Sequence, residues 1–302
     1  MTENTAAVLD YEGAGEPIEP VGERSLDLSE LVRARPSSRP DLFALPVPDG
    51  VQQGKGAWGG VAAGAIVSAA VQAAPQPGQQ VRTMSAQLFA PLLPGPAMLR
   101  TEILRSGAST TTVAVRLLDE AGDPVAHGTV VLGGPRVGVG MPDGPEWGRV
   151  EPPAALAEGP PALATVPPGS GFPEFIRQFE MRPTSGLPFS GQPGAEASGW
   201  LRPAGPVADA SAALLVALTD TWWIAVIAGM PAPRPVGTLG FACELLGDPA
   251  QLGRGADGRL EPLYHRGRVV AAHQGYAVET RELWTASGDL LSWNTQTVAV
   301  IK

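Results

Sequence analysis

One carboxylate stands out in this sequence because the chain around it is almost wholly apolar. Asp220 lies in LLVALTDTWWIAVI, residues 214–227. On a helix, none of the residues three and four positions away could pair with its negative charge: Val216, Ala217, Trp223 and Ile224. Burial raises the pKa of such a carboxyl group and makes it a stronger base. The alternatives are an acid at a solvent-facing point of the helix and an acid paired with a buried arginine.

Other side chains of catalytic or metal-binding type show no comparable pattern. The three histidines, His127, His265 and His273, have no spacing to an acid that indicates a triad or a metal site. Cys243 is the one cysteine, so it cannot form an intrachain disulfide, and we expect a buried small apolar residue. We therefore predict neither a metal nor a cofactor.

Composition limits the classes of partner. The chain has 302 residues and a formal net charge of −9, which argues against a sequence-independent nucleic-acid binder. The opening stretch MTENTAAVLDYEGAGEPIEP has neither a basic nor an apolar segment of signal-peptide type. No apolar run reaches the ~18 residues of a membrane helix. We expect a cytoplasmic protein whose residues 1–38 form an N-terminal tail with a short helix.

The elements that must position Asp220 occur twice along the chain. Residues 60–74, GVAAGAIVSAAVQAA, are small and apolar on every face, as in a helix buried on all sides. Alternating β-type runs follow it, and we assign residues 39–140 to this unit. The second unit, 171–302, has a helix that starts near Asp209 or Ser211 and runs through Ile227, again followed by β-runs. The Pro/Gly-rich residues 141–170 are predicted to be a linker.

The ends of the two units match. LLDEAGDPVAHGTVV and LWTASGDLLSWNTQTV share a leucine, a Gly-Asp turn and a final β-run. Alignment of Gly122 with Gly288 places Val130 opposite Gln296. A helix that is apolar all round needs a sheet wrapped round it. The predicted fold is therefore an α+β double hotdog: two antiparallel sheets, each wrapped round a long buried helix and joined into one continuous sheet.

Short motifs from residue 41 to residue 302 resemble a known family in their order and spacing. The first half contains WGGVAAGAIVSAA (58–70) and LFAPLLPG (88–95). The second half contains FEMRP (179–183), GWLRP (199–203), LTDTWW (218–223), GTLGF (237–241) and NTQTVAV (294–300). The chain resembles the double-hotdog acyl-CoA thioesterases, the type II thioesterase group with its actinobacterial thioesterase-like relatives. It departs from them in RTMSAQLFAP, which lacks a histidine often found on that strand.

The resemblance implies three catalytic residues. The family has an Asp on the second central helix, a Thr on the strand after it and a Gln on the last strand, which match Asp220, Thr238 and Gln296. We expect these side chains to hold a water whose proton Asp220 removes. Backbone N–H groups where the first central helix begins, at Trp58-Gly59-Gly60, would stabilise the oxyanion, with Gly60 as the candidate donor.

The structural alternative for the two glycines is tight packing of the helix. Residues 57–74 contain no acid and Val130 stands in place of Gln296, so one site per chain is predicted.

Three functions remain open from the sequence. The first is an acyl-CoA or acyl-carrier thioesterase of fatty acid metabolism. The second is a double hotdog that binds acyl thioesters without turning them over, and the third is a hotdog hydratase or dehydratase. The third is the least favoured, because such enzymes need a histidine beside the acid and neither predicted central helix has one. All three imply an acyl-thioester ligand and neither nucleic acid nor membrane as a partner. Because a double hotdog already contains the pairing of two units, a monomer and a homodimer both fit.

Overall fold

The computed structural model describes residues 25–136, 150–192 and 194–301. Within these ranges the helices are α1 (Leu28–Leu31), α2 (Gly59–Ala73), α3 (Ala155–Glu158) and α4 (Ala212–Thr219). The strands before residue 136 are β1 (Arg35–Pro36), β2 (Leu42–Val47), β3 (Gln52–Gln53), β4 (Gly56–Ala57), β5 (Gln80–Leu88), β6 (Gly95–Ser106), β7 (Thr110–Leu118) and β8 (Pro124–Gly133). The strands after residue 150 are β9 (Ala164–Thr165), β10 (Phe179–Ser185), β11 (Glu196–Pro203), β12 (Val236–Leu245), β13 (Leu263–His273), β14 (Tyr276–Thr285) and β15 (Leu290–Val300).

One antiparallel sheet runs through both halves of the chain. Its thirteen described strands lie in the order β1-β2-β6-β7-β8-β5-β12-β15-β14-β13-β11-β10-β9. The halves meet where β5 pairs with β12, with Ala86 opposite Phe241. This pairing removes two exposed sheet edges from the centre of the molecule. The expected continuous sheet and the hotdog-type α+β fold are therefore observed.

Helix α2 is buried from Gly60 to Ala70 apart from the half-buried Ser68, whereas Val71 and Gln72 in its last turn are exposed. It packs against β5 to β8 of its own half and against α4. Small residues let the surrounding backbone come close: a Cβ on Gly60 would lie 2.7 Å from the Ala217 carbonyl oxygen, and one on Gly64 would lie 2.8 Å from that of Ala213. Two glycines one turn apart thus face two alanines one turn apart. This close crossing brings the start of α2 beside the end of α4.

The second central helix is shorter than predicted. The sequence pattern predicts a helix through Ile227, but α4 ends at Thr219 and Asp220 is its C-cap. The long second helix of the prediction is therefore wrong. The residues that follow include β-branched Thr221 and two tryptophans, which have lower helix propensity than leucine or alanine.

Two tertiary hydrogen bonds also hold the residues after Asp220 in a path that does not continue the helix. The Trp223 indole N–H donates to the Gly186 carbonyl oxygen at 2.7 Å. The Ala225 backbone N–H donates to the Glu279 carboxylate at 2.7 Å. A 3₁₀ helix, Ala225–Gly229, follows. Within the described ranges, no helix has both the length and the apolar character needed to cross a membrane.

Segments assigned from the sequence to a tail and a linker contribute to packing where they are described. Leu28 and Leu31 of α1 are buried in the main core. Residues 150–163 supply apolar side chains that pack on a cluster of Trp200, Tyr264 and Trp284. Strand β9 adds to the sheet edge by pairing with β10. Residues 1–24 of the predicted tail and residues 141–149 of the predicted linker lie outside the described residues.

Candidate active site

Three side chains predicted to act together form a continuous chain of hydrogen bonds. The Thr238 hydroxyl donates to the Gln296 side-chain oxygen at 2.9 Å. The Gln296 amide N–H in turn donates to Asp220 Oδ1 at 2.7 Å. Gln296 is fully buried, so its amide is held in one orientation by these two partners. The structure therefore brings together Asp220 from the end of α4, Thr238 from β12 and Gln296 from β15.

A β-bulge in β12 puts the Thr238 side chain on the same face of the sheet as Gln296. Phe241 pairs with Gln296 and Thr238 pairs with Val298, with the register shifting between Thr238 and Gly240. Side chains alternate between the two faces of a strand, so residues 238 and 241 would point to opposite faces of a regular strand. The extra residue of the bulge restores Thr238 to the face that carries Gln296.

A buried arginine also binds the candidate base. Arg281 Nη1 donates to Asp220 Oδ1 at 2.8 Å, and Arg281 Nε donates to Glu279 Oε1 at 2.7 Å. Arg281 is only 1% exposed and Glu279 is fully buried. Two carboxylates thus share one guanidinium, and Glu279 uses its second oxygen to accept from the backbone N–H of Ala225. The alternative of an acid paired with a buried arginine is part of the observed geometry.

Burial dominates the protonation of Asp220. Loss of hydration raises the pKa of Asp220 above the ordinary aspartate range, against the opposing effects of Arg281 and Gln296. The charge of Glu279 acts in the same direction as burial. With a single guanidinium between two carboxylates, Arg281 cannot balance both negative charges. The Asp220 side chain is 10% exposed, so water can reach it.

The start of α2 faces Asp220 Oδ2, the oxygen that accepts from neither Gln296 nor Arg281. A Cβ on Gly59 would lie 2.6 Å from Asp220 Oδ2, so this oxygen rests where Gly59 has no side chain. The Gly60 backbone N–H lowers the pKa of Asp220, acting against burial. Trp58, the residue before the helix, is 1% exposed and stacks on Phe175 with ring centroids 5.4 Å apart. Contact of Trp58 with a substrate stays a prediction.

Arg281 and Glu279 belong to the site but were not among the residues predicted from the sequence. The alternation along β14 could have indicated them, because a buried face of this strand carries Ala277, Glu279, Arg281 and Leu283. Cys243 is buried and free, as predicted. Across the described part of the chain, no group of three or more His, Cys, Asp or Glu side chains is arranged to hold a metal ion.

Comparison with known proteins agrees with this architecture. A family model described as the acyl-CoA thioesterase N-terminal domain matches residues 47–133, and one described as the acyl-CoA thioesterase C-terminal domain matches residues 153–300. No curated protein sequence matches the chain at a significant level.

Solved structures share the fold over nearly their whole length. A hot dog fold protein of unknown function from Alicyclobacillus acidocaldarius has a TM-score of 0.72 at 24% identity, covering 91% of this chain and 97% of its own. A putative thioesterase II from Thermobifida fusca has a TM-score of 0.68 at 20% identity, covering 91% and 96%. An acyl-CoA thioesterase II from Mycobacterium marinum has a TM-score of 0.62 at 17% identity, covering 91% and 97%. With the two domain matches in chain order, this chain belongs to the double-hotdog acyl-CoA thioesterase family.

Proposed function

We propose that this protein hydrolyses acyl-CoA or acyl-carrier thioesters and that Asp220 takes a proton from the attacking water. The observation that carries the proposal is the hydrogen-bonded chain Thr238–Gln296–Asp220 beside the start of α2. Because Asp220 Oδ1 accepts from both Gln296 and Arg281, Oδ2 is the oxygen left to act as a base. A raised pKa suits this role, since a base works best when its pKa lies near the working pH.

The same helix start suits the developing oxyanion. The first N–H groups of a helix have no acceptor within the helix and carry about half a positive charge together. Gly59 leaves room for Asp220 Oδ2, and Gly60 packs against Trp58 and Ala217, so the missing Cβ atoms bring the start of the helix next to the base. In this proposal water attacks the carbonyl carbon and Asp220 receives the water proton. The C–S bond then breaks and Asp220 returns the proton to the leaving sulfur, so that a thiol and a carboxylic acid are released. Gly60 N–H, which interacts with Asp220 in the free protein, would turn from this carboxylate to the oxyanion as substrate enters.

In this proposal each chain has one active site, which lies between the two predicted hotdog units, 39–140 and 171–302. Each unit has a sheet wrapped round its own central helix, and residues 141–170 join the two units. Val130, the sequence counterpart of Gln296, is buried on the inner side of β8 and can neither donate nor accept through its side chain.

The buried Arg281 favours a second candidate, an acyl-thioester binding protein without turnover. An ion pair at 2.8 Å makes Asp220 a weaker base than burial alone would. A panel of acyl-CoA substrates of graded chain length, with detection of free CoA, separates the two functions. Release of CoA from at least one chain length supports hydrolysis. Binding of acyl-CoA with no release for any member of the panel would favour the binding protein.

The pH dependence of hydrolysis is a prediction of this mechanism. Asp220 must be ionised to accept a proton, and its pKa is raised. We therefore expect kcat/KM to fall as the pH is lowered through a pKa clearly above ~3.9, the ordinary aspartate value. The measurement is a profile of kcat/KM against pH. Full activity retained down to about pH 4 would be incompatible with Asp220 as the base.

Gly59→Ala tests the space beside Asp220 Oδ2. The new Cβ would approach this oxygen to 2.6 Å, so the carboxylate must move. We expect kcat to fall ~10- to 100-fold, because small displacements of catalytic groups have effects of this size. Alanine has a higher helix propensity than glycine by ~1 kcal/mol, which offsets part of the destabilisation caused by the crowded Cβ. The melting temperature should therefore change little. Gly134→Ala is a matched control, since the nearest atom to its Cβ lies at 3.6 Å. Equal activity of the two variants would contradict the assigned geometry.

A further inference from the structure

The second half of the chain contains a buried histidine that the proposed chemistry does not use. His265 lies on the inward-facing side of β13 together with Leu263 and Gly267, and none of its surface is exposed. Burial and, more weakly, the charge of Arg281 lower the pKa of His265 well below its ordinary value, against a smaller opposing effect of the Ala197 backbone. The imidazole is therefore neutral near neutral pH.

Neither nitrogen of this imidazole has a hydrogen-bond partner within the described part of the chain. Buried polar groups nearly always have such a partner, and a group left without one costs stability. An aliphatic side chain at position 265 would avoid this cost. The feature of His265 that the protein uses is therefore its flat ring.

The face of the His265 ring is stacked on Trp222. The two rings are nearly parallel, with an interplanar angle of 14° and centroids 5.6 Å apart. Trp222 is 1% exposed, and its indole N–H also lacks a hydrogen-bond partner among the described residues. Gly199, which pairs with His265 between β11 and β13, leaves room for the indole, since a Cβ there would lie 2.5 Å from it. Packing therefore holds the Trp222 side chain in place.

The same ring lies beside the start of the 3₁₀ helix. A Cβ on Gly267 would lie 3.2 Å from His265 Cε1 and 3.7 Å from the Ala225 Cβ, so both side chains flank the space above this glycine. Hydrogen bonds to distant groups fix Trp223 and Ala225, but neither bond involves Trp222. His265 thus packs against the turn that follows α4 at the residue that these two hydrogen bonds do not hold.

This turn sets the direction in which Asp220 points. Asp220 is the C-cap of α4, and Trp222 is only two residues further along the chain. A shift of the indole would carry the backbone of residues 220–222 with it. Asp220 Oδ2 lies 2.6 Å from the position of a Cβ on Gly59, so it has little room to move without leaving the start of α2. Displacement of a reacting group by ~1 Å can lower a rate by about 100-fold.

We propose that His265 is a positioning residue for Asp220 and acts through its stack on Trp222, an inference that rests on the proposed thioester hydrolysis. Arg281 binds the carboxylate of Asp220, whereas the stacked pair holds the backbone that carries this carboxylate. The imidazole itself takes no part in proton transfer.

Two substitutions separate the ring of His265 from its nitrogens. His265→Phe keeps a flat ring without nitrogens, and His265→Gln keeps a polar nitrogen without the ring. We expect His265→Phe to keep kcat within about twofold and His265→Gln to lower kcat at least ~10-fold, with KM unchanged in both, as for a loss of geometry in the transition state. His265→Phe should also leave the acidic limb of kcat/KM in place, because the imidazole that it replaces is neutral.

His273→Gln is the matched control for this pair, since His273 lies on the same strand and is exposed. It should keep full activity. Equal activity of His265→Phe and His265→Gln would overturn the proposal, and so would greater activity of the glutamine variant, which would assign a role to the nitrogens.

A double-mutant cycle of His265→Gln with Trp222→Leu tests the proposed route without the larger phenylalanine ring. If His265 acts through Trp222, each substitution lowers kcat and the double variant loses no more than the worse single variant. Losses that multiply would mean that the two residues act independently and would contradict the proposal.

Thermal unfolding supplies a readout that does not depend on turnover. If His265 positions Asp220, then Asp220→Asn should change the melting temperature by a different amount in the His265→Gln background than in the unaltered chain. Additive changes would refute the positioning role. Non-additive changes in a protein that hydrolyses no thioester would uphold the positioning role and refute the proposed function instead.

Discussion

Asp220→Asn is expected to abolish thioester hydrolysis while leaving the fold at least as stable as before. An amide cannot accept the water proton, and loss of a general base lowers rates by ~10²- to 10⁴-fold. The folded-state pKa of Asp220 is raised, so the ionised carboxylate opposes folding: its contribution to stability is present at low pH and is lost as the pH rises through the folded pKa. Asparagine removes this penalty and leaves Arg281 with one carboxylate, Glu279.

The measurement for this variant combines free-CoA release with thermal unfolding near neutral pH. Asp209→Asn is a suitable control, since Asp209 is exposed and precedes α4. We expect Asp209→Asn to keep full activity. Hydrolysis that survives Asp220→Asn at the original rate would refute the mechanism, and a large fall in melting temperature would refute the electrostatic account of Asp220.

Arg281→Met is expected to have the largest effect on stability and to move the acidic limb of the pH profile. Removal of one partner from a buried ion pair destabilises a protein by about 3–5 kcal/mol, because the remaining charge stays buried. Without the guanidinium, the pKa of Asp220 rises further, so the acidic limb of kcat/KM should move to higher pH by at least ~1 unit. Arg268→Met is the control, because Arg268 is 44% exposed and contacts Glu282 rather than Asp220.

Glu279→Gln is expected to shift the pKa of Asp220 in the direction opposite to that of Arg281→Met. The negative charge of Glu279 raises the pKa of Asp220, so its removal should move the acidic limb to lower pH. The substituted amide would retain an oxygen that can accept from the Ala225 N–H. Shifts of opposite sign for the two variants would identify Arg281 and Glu279 as groups that set the protonation of Asp220. Equal shifts, or none, would mean that they only support the fold.

Local patterns in the sequence determined the parts of the protein that depend on composition and order along the chain. The small apolar residues of α2 indicate a helix buried over most of its length, because Ser68 and Gln72 are its only polar side chains. The repeated turn and strand at Gly122 and Gly288 indicate two similar units. The resemblance of GTLGF and NTQTVAV to family motifs selected Thr238 and Gln296, which do meet at 2.9 Å.

Tertiary structure alone decided how long α4 is and what surrounds Asp220. Periodicity cannot show that α4 stops at Thr219, because the groups that end the helix, Gly186 and Glu279, are distant in the chain. The bulge that turns Thr238 towards Gln296 depends on the pairing of β12 with β15. The pairing of Asp220 with Arg281 joins residues 61 positions apart. Sequence spacing reports contacts within one helix or strand, whereas the protonation of Asp220 depends on charges brought together from separate strands.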